Sequence, residues 1–350
     1  MIFTRKKQLV GLDIGSSYVK VVELKNGGKG KRHQLLNVGI EPVPSQSIVE
    51  GGIMDSFAVS EAIRNLFERL GVKNTKVAIA VSGNGVIIKK ITLPKMSMEE
   101  LSDQIRFEAE QYIPFEIDEV NIDYEVVDSS EEDQMDVVLV AAKKDVISDY
   151  TSVVVQAGLE PVVVDVAAFA LQNAYEYNYN IDQDLITALV NIGASSTNIN
   201  ILLGNKSLFW RDLSVGGSLY TQNIQKELGI DFESAEKLKK GESVEGITFD
   251  SVIPVIDQTS QELIGELLKT FEFFKATSQF ATIDRIVLSG GSAKVHGLDK
   301  MVEDKSGIRV DVFNPFESIF VDESTFDPQF INDISTMVSI SVGLSLRKEM

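Results

Sequence analysis

The chain contains no cysteine among its 350 residues and only two histidines, His33 and His296. Disulfides and thiolate metal sites are thereby excluded, and a zinc centre has few nitrogen ligands to draw on. Positive charge is short as well: 33 Lys and Arg stand against 52 Asp and Glu, a formal net charge of −19. That balance argues against nucleic acid as a partner and against unaided adhesion to anionic lipid. No apolar run reaches membrane-spanning length, and Met1 to Lys7, though basic, lead into a strand without an apolar signal core. The expectation is a soluble cytoplasmic protein whose membrane link runs through another protein. The length and a hydrophobic content of 44% allow about two domains, each with a sizeable core.

The most telling segment runs from Val10 to Leu24. Val10-Gly11-Leu12 reads as one strand, and Val19, Val21 and Leu24 against Lys20 and Glu23 read as a second. Between them Gly15 permits close approach of the backbone to a ligand, while Ser16 and Ser17 add amide and hydroxyl donors. Such a turn suits phosphate oxygens. Asp13 beside it would repel phosphate unless a divalent cation, Mg²⁺ above all, stands between them through coordinated water. A plain Asp-x-Gly hairpin accounts for this segment equally well when it is taken alone.

A second stretch repeats the first about half a chain later. Leu185 to Val190 is apolar, Asn191-Ile192-Gly193-Ala194-Ser195-Ser196-Thr197 forms a small polar turn, and Asn198 to Leu203 alternates as a strand. Two related halves facing one another could grip one phosphate chain from both sides. A third glycine turn, Gly290-Gly291-Ser292-Ala293, follows the short apolar strand Arg285 to Ser289 and precedes a helix from Gly297-Leu298 to Ser306-Gly307. This order suits passage beside a nucleoside, although Ser-Gly-Gly-Ser alone is commonly a loop.

Between the first two turns lies an insert. Ser97-Met98-Glu99-Glu100 has capping-box spacing, and Met98, Leu101, Ile105, Ala109 and Tyr112 recur at helical intervals until Pro114. Strands at Val86 to Leu93, Val120 to Val126, Val137 to Ala141 and Val162 to Val166, with a second helix from Asp145 to Ala157, predict a strand-helix-strand-strand-helix-strand subdomain. The acidic turn Asp128 to Asp136 has no metal-loop spacing and is read as a solvated hairpin tip. In the second half, Gly216-Gly217 precede a helix from Leu219 to Leu228, Ser234 to Lys239 forms another, and Leu263, Leu267, Phe271 and Phe274 mark a long amphipathic one whose aromatics are core residues. Glu236 and Lys239 share a helix face; they could bond a ribose or adenine edge or form an ordinary solvated pair.

These residues together resemble the actin-like ATPase superfamily. Asp13-Ile14-Gly15-Ser16-Ser17 with Lys20 is similar to its first phosphate motif, Asn191 to Thr197 to its second, and Ser289 to Ala293 to its adenosine motif, in order over nearly the whole chain. Within it the chain resembles the FtsA-like PilM family of type IV pilus assembly, through Val10 to Ser17, Glu108-Ala109-Glu110-Gln111-Tyr112-Ile113-Pro114-Phe115 and Leu288 to Ser292.

The resemblance implies an α/β fold with two related lobes around a nucleotide cleft and an FtsA-type accessory subdomain. One core subdomain would comprise residues 1–87, 161–184 and 331–350, with 88–160 as its accessory unit. The second would comprise 185–218 and 280–330, with 219–279 as a helical unit over the nucleotide. ATP or ADP with Mg²⁺ would lie in the cleft. Asp13 would hold the metal's water; Gly15, Ser16, Ser17 and Lys20 would hold the phosphates on one side, and Gly193, Ala194, Ser195, Ser196 and Thr197, following Asn191, those on the other. Gly216, Gly217, Glu236, Lys239, Gly290, Gly291 and Ser292 would surround ribose and base.

By the same resemblance the partner would be the short N-terminal cytoplasmic tail of PilN, an inner-membrane protein, linked onward to other pilus proteins and motor ATPases. The family's second phosphate motif commonly begins with an acidic residue, whereas Asn191 supplies no charge and cannot act as a base. Weak or absent ATP hydrolysis with retained binding is therefore expected. A small-molecule kinase of the superfamily would need a substrate base that no residue context marks. An FtsA-like filament former would be expected to end in a linker and a membrane-binding helix, whereas Ile331 to Leu346 reads as a core helix. Oligomeric state, and the choice between pilus and secretion system, stay open.

Overall fold

Alternating side chains sort the first strands into two faces. Val10, Leu12 and Ile14 of β1 (Val10–Ile14) and Val19 and Val21 of β2 (Tyr18–Lys25) enter one hydrophobic cluster, while Val22 and Leu24 enter another. The computed structural model describes residues 8–28, 31–127, 133–244 and 246–349. After β3 (Gln34–Pro42) come a short ladder of β4 (Ile48–Val49) with β5 (Gly52–Ile53), helix α1 (Ser56–Leu70), and β6 (Lys76–Val81). Next are β7 (Val86–Pro94), α2 (Met98–Ala109), β8 (Val120–Val127), β9 (Gln134–Lys143), α3 (Lys144–Gln156), β10 (Glu160–Val166) and α4 (Ala167–Asn178).

The second half runs through β11 (Ile186–Ile192), β12 (Thr197–Leu203), β13 (Lys206–Leu213), α5 (Ser218–Leu228), α6 (Phe232–Lys239) and α7 (Ile253–Thr277). It ends with β14 (Arg285–Ser289), α8 (Leu298–Ser306), β15 (Arg309–Val312), α9 (Pro328–Ile334) and α10 (Ser339–Ser345).

Two five-stranded sheets carry the repeat. Their orders are β3-β2-β1-β6-β10 and β13-β12-β11-β14-β15, and in both the hairpin strands pair antiparallel while the other two add in parallel. The register matches too: Ile14 pairs with Val19 at the tip of the first hairpin, as Ile192 pairs with Thr197 at the tip of the second. α4 and α10 lie between the sheets, and their buried side chains share one cluster with Val22 and Leu24 of the first sheet and Leu189, Leu202 and Val287 of the second. The small inner-face residues Gly11, Ala78 and Ala80 leave room for α10. α1 and α3 cover the outer face of the first sheet, and α5, α6, α7 and α8 that of the second.

The accessory unit is smaller than the alternation predicts. β7, β9 and β8 form a three-stranded antiparallel sheet under α2, with Ile91, Leu101, Ile105, Ala109, Val137 and Leu139 as its core. The Ser97–Glu100 capping box is present in full. α3 and β10 do not join this unit. Tyr150, Val153 and Val154 of α3 pack with α1, and β10 pairs with β6, so both belong to the first lobe. Met98 and Tyr112, read as part of the apolar stripe, are exposed. Residues 128–132 of the acidic turn lie outside the described residues. Its last member, Asp136, is a buried strand residue and not a solvated tip. Burial opposes its charge, but Lys90 Nζ at 2.8 Å and Thr92 Oγ1 at 2.7 Å prevail and hold its pKa below the usual carboxylate value.

Candidate functional site

A cavity of about 620 Å³ opens where the two hairpin tips meet. Each tip closes the same way, Gly15 N donating to Tyr18 O at 3.1 Å and Gly193 N to Ser196 O at 2.9 Å. Ser16 Oγ and Ser195 Oγ touch across the gap at 2.9 Å. Among the described residues, the N–H groups of Ser16, Ser17, Ala194, Ser195 and Ser196 donate to no protein acceptor. Unengaged amides at two facing turns form an anion cradle.

Asp13 and Lys20 are cross-strand neighbours on β1 and β2, and Lys20 Nζ donates to Asp13 Oδ2 at 2.8 Å. Tyr150 of α3 lines the same wall; burial, aided by the charge of Asp13, pushes its phenol up to about 12, so it is neutral at ordinary pH. Among the described residues no cluster of three acidic or histidine side chains could hold a metal alone. The donor set therefore fits Mg²⁺ carried by one carboxylate, waters and a ligand's phosphates, the usual manner of that ion.

The far wall is built on α6 and the β14 turn. Lys239 Nζ lies 2.5 Å from Glu236 Oε1 and 3.1 Å from Thr221 Oγ1, which itself donates to Glu236. Burial lowers the Lys239 pKa against the pull of that carboxylate. Gly290 sits at φ +91°, and a Cβ there would meet Ile192 O at 2.3 Å, so the turn can lie against β11 only with glycine. Asp13, Gly15, Ser16, Ser17, Lys20, Asn191, Gly193, Ala194, Ser195, Ser196, Glu236, Lys239, Gly290, Gly291 and Ser292 all line the cavity.

Three expected residues do not. Thr197 is buried with its hydroxyl on Val215 O at 2.7 Å. Gly216 and Gly217 lie beneath the second turn, Gly217 N donating to Gly193 O at 2.8 Å, where they support it from behind. The sequence reading also missed Ser82, Gly83 and Asn84, which line the cavity at the end of β6. They occupy in the first lobe the place that Gly290, Gly291 and Ser292 hold in the second, and Val-Ser-Gly-Asn-Gly after an apolar strand was the available signal. Asn198 and Asp212 were missed as well. Both face the cavity from strand positions, where no turn chemistry announced them.

The sequence profile described as type IV pilus assembly protein PilM matches residues 11–349. The chain belongs to the PilM family. A solved structure described as a PilM-PilN type IV pilus biogenesis complex is 30% identical, covers 98% of this chain and 99% of its own, and superposes with a TM-score of 0.85. The cell division protein FtsA of Bacillus subtilis (strain 168) is 24% identical over 256 residues, 66% of this chain. The chain thus spans only 57% of the length of that relative. MreB5 of Spiroplasma citri bound to ADP, at 14% identity, covers 96% of this chain and 94% of its own with a TM-score of 0.53. This PilM-family chain therefore has the actin-like ATPase fold, with relatives in the FtsA-like branch. Among the described residues no helix is long and apolar enough to cross a membrane.

Proposed function

We propose that this chain is a nucleotide-binding adaptor of type IV pilus assembly, which retains Mg-ATP or Mg-ADP in its interlobe cleft and captures the cytoplasmic tail of PilN. The observation that carries the nucleotide half is the meeting of two sister hairpin turns, their free amides edging one cavity with Asp13 and Lys20 beside them. When bound, the ion would supply charge neutralisation between Asp13 and the phosphates. For a phosphate to engage Lys20, the ammonium must share or leave its bond with Asp13, and Ser16 and Ser195 must part. The cleft is thus set to respond to what fills it.

Asn191 stands where Asp13 stands in the other lobe and brings no charge or basicity, so slow or absent hydrolysis is the consequence. The partner half rests on likeness to the PilM-PilN complex. The tail's groove belongs beside the accessory unit, where Phe107 and Tyr112 of the α2 segment are exposed. An extended apolar tail laid there would tie a strongly acidic chain to the membrane through protein, giving a cytoplasmic protein peripheral to the inner membrane. Onward contacts with pilus motor ATPases belong to the same reading.

Equilibrium dialysis of Mg-ATP and capture by an immobilised apolar tail peptide test both halves. Asp13→Ala should weaken nucleotide retention at least about tenfold and reduce tail capture with it. Unchanged nucleotide content in that variant would remove Asp13 from the metal role. Turnover at roughly 1 s⁻¹ or faster, abolished by Asp13→Ala, would make the protein an enzyme instead.

A further inference from the structure

Four groups form a continuous chain from the cavity to the opposite lobe. Asn191 Nδ2 donates to Asn198 Oδ1 at 3.1 Å, Asn198 Nδ2 donates to Asp212 Oδ1 at 2.8 Å, and Gly83 N donates to Asp212 Oδ2 at 2.6 Å. Asn191, Asn198 and Asp212 stand on β11, β12 and β13, where Asn191 is register partner of Asn198 and Asn198 of Asp212. Gly83 follows β6 in the first lobe. Both asparagines are buried, and among the described residues nothing donates to Asn191 Oδ1, although Asn191 lines the cavity.

The orientation of both amides follows from one fact: a carboxylate only accepts. Asp212 therefore fixes Asn198 with its nitrogen outward and its oxygen toward Asn191. That oxygen in turn fixes Asn191 with its nitrogen inward and its own oxygen on the cavity. We infer that Asp212, acting through Asn198, is a positioning residue that makes Asn191 present a carbonyl acceptor rather than an NH₂ donor to the nucleotide's metal-bound water. The inference rests on the proposed nucleotide site and deepens it, because it explains how an amide can serve in the second lobe where the first carries the carboxylate of Asp13. Gly83 of the other lobe donates to the second oxygen of Asp212, so the carboxylate that orients Asn198 also bridges the two lobes.

The relay makes an unusual forecast for an isosteric change. In Asp212→Asn the introduced amide keeps both partners only by turning its oxygen to Gly83 and its nitrogen to Asn198. Each amide down the line then flips, and Asn191 shows NH₂ to the cavity. Asn191→Asp alone places two acceptor-only groups on either side of Asn198, and one of them goes unmet. In the double variant Asn191→Asp/Asp212→Asn every group is satisfied again, with an acceptor facing the cleft.

The experiment measures ATP affinity with Mg²⁺ and with EDTA for wild type, both single variants and the double, after their melting curves are matched. Wild type should bind at least about tenfold tighter with Mg²⁺ than without. Asp212→Asn should bring that ratio within about threefold of unity, and adding Asn191→Asp should raise it by a larger factor on that background than on wild type, a coupling between sites that structural damage would not produce. An unchanged ratio in Asp212→Asn, a double variant no better than that single, or wild-type binding indifferent to Mg²⁺ overturns the inference. Absence of any ATP binding by wild type overturns the nucleotide site itself, and the relay is then decided in ligand-free protein. There the Asn191 side-chain NH₂ protons, read by NMR on asparagine-labelled protein, should be protected from exchange in wild type and released by Asp212→Asn; equal protection in both overturns the relay.

Discussion

At the residue scale, placement matters more than residue type. Asp13 and Asn191 occupy equivalent positions at the ends of β1 and β11, yet one pairs with Lys20 and the other with a neutral amide. Away from the cleft, His33 Nδ1 lies 2.5 Å from Tyr177 Oη, joining the start of β3 to α4. Burial, aided by the charge of Lys348, pulls the His33 pKa below its ordinary 6.5. Protonation thus favours the unfolded chain, so this contribution is complete above pH 6.5 and declines as pH falls from there toward the lowered folded value. Urea unfolding at about pH 7.5 and about pH 5.5 should show the stability advantage of wild type over His33→Gln shrinking at the lower pH; a constant difference would contradict this. Gly290→Ala, forcing a side chain into positive φ and against Ile192 O, should cost about 2–3 kcal/mol by the same measurement and weaken nucleotide retention.

At the scale of elements, the accessory unit has a core of its own, carried by one helix on three strands. Ile105 is buried at its centre, and Ile105→Ala should cost about 2–5 kcal/mol. Hydrogen exchange should localise the loss to residues 86–143, while β1, β6 and β11 keep their protection. Loss of protection across all three sheets would show instead that the unit and the lobe unfold as one. The α2 helix was legible in the sequence because its cap and the period of Leu101, Ile105 and Ala109 agree, although it ends at Ala109, short of Pro114. The allegiance of α3 was not, because Tyr150, Val153 and Val154 give the same helical period whichever sheet they cover.

At the scale of the whole molecule, two repeated sheets enclose α4 and α10, and everything in the cleft depends on that spacing. Gly343 of α10 crosses α4 so closely that a Cβ would sit 1.7 Å from Ala170 O. Gly343→Ala should therefore lower stability by about 3 kcal/mol or more, seen as a reduced urea midpoint at unchanged slope, and should loosen the first hairpin packed on α10. An unshifted midpoint would mean that the crossing yields freely. The sequence by itself determined the local chemistry: the turn glycines, Asp13 and Lys20 flanking the first turn, the Asn in the second turn, and the repeat of strand, turn and strand. These lie within a few residues of one another, and spacing along the chain is enough to read them. Only the tertiary structure decided that Gly83 meets Asp212 across the cleft, that Thr197, Gly216 and Gly217 stand behind the turns, and that α3 serves the first lobe. Those outcomes depend on which surfaces two sheets bring together after distant segments pack, and no local period encodes that choice.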